Sequence, residues 1–157
     1  MISASEIYLA LGKHIRSVVD VPLVVRSVPQ ESKEQWDDWV AYELLSIVDS
    51  PARTHTVDRV VTIQIIIYSR HTEKRRDNKL TANLELADTI YTAVNRRNVP
   101  LKDSCIQLKD AKMVTMDLRS IGDFAKGIYQ QSPSLDLQST VLLIDGIIST
   151  HTLPPGV

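Results

Sequence analysis

The stretch VVTIQIIIYS, Val60 to Ser69, constrains the fold more than any other part of the sequence. Side chains alternate between the two faces of a strand, which puts Val61, Ile63, Ile65 and Ile67 on one side and Val60, Thr62, Gln64, Ile66 and Tyr68 on the other. Both faces are largely apolar. The segment is therefore expected as a central strand, or as one whose second face is covered by another layer or another subunit. A chain of 157 residues, 43% hydrophobic, is enough for one domain spanning 1–157 with a sizeable core. Because it holds one Phe and two Trp, that core must be mainly Val, Ile and Leu, which favours sheet surfaces packed by helices.

The surrounding segments supply both kinds of element. SASEIYLALGKHIRSVVD opens with serines that can cap a helix, Glu6 standing three residues after Ser3 as in a capping box. Ile7, Leu11, Ile15, Val18 and Val19 follow at helical spacing, with Lys13, His14 and Arg16 off that stripe, and Pro22 marks the end. Leu23 to Val25 reads as a short strand, and the polar residues 29–38 as a connection with the composition of a flexible one. Trp39 to Pro51 and Val57 to Ser69 read as a strand hairpin around PARTHT. From Glu73 the period changes: Leu80, Leu84, Ala87, Tyr91 and Val94 trace a helix of roughly twenty residues, widened by Leu86 and Ile90 and ending in Arg96 and Arg97. Ser104 to Leu108 and Met113 to Leu118 are short strands. Gly122 to Asp136 is a long excursion, Leu137 to Thr150 a final strand bulged near Asp145 and Gly146, and residues 151–157 a frayed tail. This order predicts an α+β fold, a mostly antiparallel sheet flanked by an N-terminal helix and one long central helix.

The chemistry-bearing residues point away from an enzyme. The glycine-rich phosphate loop, the dinucleotide glycine pattern, the paired histidines of a metalloprotease helix and the nucleophile elbow do not occur. His14, His55, His71 and His151 show no metal-pair spacing, and the single cysteine, Cys105, reads as a small hydrophobe. No catalytic, metal or cofactor-binding residue is assigned. Lys plus Arg (18) nearly balances Asp plus Glu (19), so no global field draws the chain to polyanions. No apolar stretch is long enough to cross a bilayer, and no cleaved signal is recognised, which reads as a soluble, unsecreted protein. Arg70, Lys74, Arg75, Arg76 and Lys79 form a basic cluster diluted by Glu73 and Asp77, and Asp37 and Asp38 lie between Trp36 and Trp39. The bland account of both is a solvated helix start and a turn with an aromatic anchor.

In the order of these segments, and most closely from Val60 through Leu101 with its apolar strand, charged turn, helix carrying ELADTIYTAV and the following VPLKD, the chain resembles the tail terminator (tail completion) proteins of long-tailed bacteriophages. The resemblance covers most of the chain and rests on arrangement, since that family has no invariant chemistry. It implies a non-enzymatic, usually hexameric ring of this chain in the virion tail, assembled in the host cytoplasm. Such a ring caps the tail tube protein at its final length and offers the surface to which the head or neck connector protein attaches. DNA passes through its lumen without sequence readout, and no cofactor or membrane is involved. On this reading Arg70, Arg75, Arg76, Trp36 and Trp39 are candidates for the subunit or tube interface. Two other classes compete. A small nucleic-acid-binding module would use Arg70 to Lys79, turned the same way as Arg96, Arg97 or Lys102, and would bind with steep salt dependence. An enzyme would have to gather distant polar residues such as His71, Asp77 and His151.

Overall fold

Strand alternation decides the architecture. In the computed structural model, which describes residues 2–24, 36–53, 56–70, 79–117 and 137–152, Val61, Ile63, Ile65 and Ile67 are all buried while their alternate neighbours are half-buried. The elements run α1 (Ala4–Arg16), β1 (Leu23–Val24), β2 (Asp38–Arg53), β3 (Thr56–Arg70), α2 (Lys79–Val94), β4 (Asn98–Pro100), β5 (Cys105–Leu108), β6 (Lys112–Asp117) and β7 (Leu137–Thr152). They build an α+β fold whose sheet is ordered β1-β2-β3-β7-β5-β4, with β6 also paired to β7. Among the described residues only the short β1–β2 pair is parallel. Strand β7 lies against β3 along almost its whole length and divides its other edge between two partners: β6 takes Gln138 to Leu143, and β5 takes Gly146 and Ile147.

Both helices among the described residues pack on one face of this sheet. The α1 stripe of Ile7, Leu11 and Ile15 and the α2 stripe of Ala87, Ile90 and Val94 share a single core with Val40 and Tyr42 of β2, the β3 row, and Leu142, Ile144 and Ile148 of β7. Helix α1 starts where Ser3 accepts from the Glu6 N–H at 3.2 Å. Only that half of the capping box forms, because the Glu6 carboxylate instead accepts from the Lys102 N–H at 3.2 Å and ties the helix to the end of β4. Arg59 anchors the same end of α1 by donating to the Ile2 carbonyl at 2.5 Å, while it also clamps Asp49 across the β2–β3 pair at 2.7 and 3.0 Å. The Asp49 carboxylate beside it raises the pKa of the Arg59 guanidinium.

Helix α2 is held by a polar node. Asn83, fully buried, donates through Nδ2 to the Ile67 carbonyl (3.1 Å), Ser69 Oγ (3.0 Å) and the Gln138 carbonyl (3.3 Å), and its Oδ1 accepts from Thr140 Oγ1 at 2.6 Å. One side chain thus satisfies groups on both central strands at a place where an apolar residue would leave them bare.

Several boundaries differ from the sequence reading. The described part of helix α2 is Lys79–Val94, and residues 71–78 before it lie outside the described residues. The helix ends at Val94 because Arg96 turns into the left-handed region (φ 54°), with Arg96 paired to Asp110 and Arg97 Nε donating to the Thr92 carbonyl. The final strand is irregular between Ile148 and His151, not near Asp145 and Gly146, so His151 and Thr152 belong to β7 and not to a tail. Pro51 lies inside β2, whose register shifts at Leu45 and again at Ala52. Cys105 is half-buried on β5 opposite Pro100. The segment 29–35, the excursion from Gly122 to Asp136 and residues 153–157 lie outside the described residues.

Candidate functional site

The face of the sheet turned away from the helices is the feature most in need of a purpose. The ladder places its side chains in rows. Trp39, Tyr68 and Ser139 form one, Ala41, Ile66, Val141 and Val114 the next, then Glu43, Gln64, Leu143 and Lys112. Beyond Thr62, whose hydroxyl donates to Asp145 at 3.0 Å, comes the row Val48, Val60 and Ile147. Val48 is 57% exposed, and Leu45, the extra residue at the β2 register shift, is 47% exposed. Asp58 and Asp145 stand two residues from Val60 and Ile147 on the same strands and face the same way. An apolar row across three strands, exposed at Val48 and half-buried at Val60 and Ile147, is thus flanked by carboxylates.

At the other end of this face the two tryptophans meet. Trp36 and Trp39 have ring centroids 6.4 Å apart, and Trp39, buried, stacks on Tyr68 at 5.1 Å. Trp39 therefore helps to fill this end of the sheet, and Trp36 lies at its half-buried edge. The backbone of Arg70, opposite Leu137, closes β3 just beyond them, whereas Arg75 and Arg76 lie outside the described residues. Lys79 begins the described part of α2, and Arg96 and Arg97 follow its end about 24 Å away, while Lys74, Arg75 and Arg76 of the basic cluster lie outside the described residues. Similarly, His151 pairs with Val57 near one end of β3 while Arg70, which precedes His71, closes the other, roughly 43 Å along the strand. His14 Nε2 donates to the Ala93 carbonyl at 2.7 Å and joins the two helices. Among the described residues no group of His, Cys, Asp and Glu is placed to hold a metal, and no helix is long and apolar enough to cross a membrane.

On the helix side, an open groove of about 730 Å³ runs between α1 and the end of β4. Leu9, Ala10, Pro100 and Leu101 give it an apolar lining, Leu9 being 69% exposed, and Lys13 and Lys102 stand on its rim.

Neither a family model nor any curated protein matches this chain.

Sequence reasoning did not single out the groove or the exposed row. Leu9 lies opposite the Ile7, Leu11 and Ile15 stripe, so the available signal was an apolar residue on the polar side of an amphipathic helix. Leu45 and Val48 were masked by the register shift, which breaks the alternation from which faces are read.

Proposed function

We propose that this protein is a structural subunit of a long-tailed bacteriophage virion, acting as a tail terminator. Copies of it close into a ring on the last ring of the tail tube, further tube subunits lose their docking surface, and the outer side of the ring receives the head or neck connector. The observation that carries this reading is the open apolar row Val48, Val60 and Ile147 with Leu45 beside it, on a sheet whose helices are all on the other face among the described residues. Contiguous apolar surface rimmed by charge is what a neighbouring subunit covers. The order of the elements, an N-terminal helix followed by a long hairpin, a central helix and a late strand, supports the same reading.

The test is the absolute mass of the purified protein by light scattering coupled to size exclusion, from micromolar to millimolar concentration, with electron micrographs of the same samples. Rings of about six copies are expected. A monomer at every concentration, above all one that binds DNA at low salt, overturns the proposal.

A further inference from the structure

We infer that the ring contact is head-to-tail, with the open row of one copy (Leu45, Val48, Val60 and Ile147) seated in the groove between α1 and β4 of a second copy. The inference rests on the ring reading above and names the two surfaces that would carry it. The two patches lie on opposite sides of the sheet, the row on the open face and the groove on the helix side, so one subunit can use both at once.

Charge selects the pairing. The groove carries Lys13 and Lys102, and neither ammonium meets a carboxylate among the described residues; Glu6, also in its lining, is held by the Lys102 N–H. The row is flanked by Asp58 and Asp145, which meet no cation among the described residues, Asp145 being bonded only to the Thr62 hydroxyl through its side chain. With Lys13 and Lys102 against Glu6 the groove keeps an excess of positive charge, so groove against groove would repel, and row against row would set aspartates against aspartates. Either two-fold contact brings like charges together, whereas row in groove opposes two aspartates with two lysines. A contact between two different patches repeats from copy to copy and yields a ring when the rotation closes.

Pairing through the outer edge of β2 or β4 is a poor substitute. The outer edge of β2 is broken by register shifts at Leu45 and Ala52 and carries Pro51, and the outermost strand at the other end, β4, is three residues long and ends in Pro100. Bulges, prolines and short strands are the devices that prevent edge addition.

Leu9→Glu spoils the groove and Val48→Glu spoils the row, and both positions are exposed enough for the fold to survive, which circular dichroism and thermal melting check. Light scattering at the concentration at which the wild type assembles should find each variant at the monomer mass of 17.6 kDa. An equimolar mixture should give twice that mass and no more, since one intact row then meets one intact groove and the other ends are blocked. If the wild type assembles and either variant assembles equally well, these surfaces are wrong while the ring reading stands. A mixture that stays monomeric when each variant alone is monomeric overturns the head-to-tail pairing. A wild type that remains monomeric at millimolar concentration overturns the ring reading itself.

Discussion

The Tyr42 hydroxyl on β2 donates to the Tyr8 carbonyl on α1 at 3.0 Å, and the two rings lie stacked with centroids 4.5 Å apart. Gly12 makes this approach possible. A Cβ there would stand 2.3 Å from the Tyr42 oxygen and 3.1 Å from its Cζ. Gly12→Ala gains up to about 1 kcal/mol of helix propensity but forces the ring out of its stack, for a net loss of about 1–2 kcal/mol. Because the clash is mainly with the hydroxyl, Gly12→Ala should be much less harmful when combined with Tyr42→Phe, a non-additivity that urea denaturation of the four proteins in the cycle will show.

The same hydroxyl makes the fold sensitive to base. Burial, and then the neighbouring Tyr8, push the Tyr42 pKa well above its ordinary 10.0. In the unfolded chain Tyr42 ionises near pH 10.0, while in the folded protein it keeps its proton. Its contribution to stability is therefore complete below that pH and falls as the pH rises through and beyond it. Tyr42→Phe should lower stability at pH 7 by about 0.5–1.5 kcal/mol and make its decline above pH 10 shallower by up to one proton. Denaturant midpoints measured from pH 7 to 11 check both.

Asn83→Ala should be among the most damaging single changes. It abandons four buried partners at the junction of α2, β3 and β7, and unsatisfied buried groups together with a cavity cost about 3 kcal/mol or more. Asn83→Leu fills the volume but leaves the same groups bare, so it should rescue little. A melting temperature equally low in both variants would show that the hydrogen bonds matter more than the packing.

Gly146→Ala should destabilise by about 1–3 kcal/mol through overpacking. Its Cβ would come within 2.7 Å of Ile106 Cγ2 and 3.1 Å of Val61 Cγ2, at the place where β5 joins β7. Replacing the neighbour by Ile106→Leu, which removes that β-branch methyl, should recover part of the loss, as measured by thermal denaturation.

Arg59→Met frees both Asp49 and the Ile2 carbonyl. The loss should be about 1–2 kcal/mol, kept small by the partial exposure of Asp49. It should also appear locally, as faster hydrogen exchange in the first turn of α1 with the centre of β3 unchanged.

The apolar alternation of Val60 to Ser69 was sufficient to place β3 at the centre with one face inward, and the Ile7, Leu11 and Ile15 spacing to make α1 a docked helix. These follow from local periodicity, which burial reinforces. Asn83 could not be read in this way, because a lone amide in the α2 stripe looks like a solvated position until Ser69, Gln138 and Thr140 arrive from elsewhere in the chain. The division of β7 between β5 and β6, the β4 strand at Asn98 to Pro100 and the diversion of Glu6 to Lys102 are likewise decided by partners distant in sequence. Of the candidate interface residues, Trp36 and Trp39 do come together, as the anchor of one sheet end. The groove and the exposed row arise only when α1 meets β4 and when β2 shifts register.

The strand that β3, β5 and β6 all share is also the last of them to be synthesised, since β3 ends at Arg70 and β7 begins at Leu137. A nascent chain that has reached β6 holds two fragments of sheet with no strand to join them, and one whole edge of β3 is bare. The row Val48, Val60 and Ile147 comes into being only when β7 docks. Completion of the sheet thus sets a temporal order, in which a subunit acquires its outward apolar surface only after its own interior has closed.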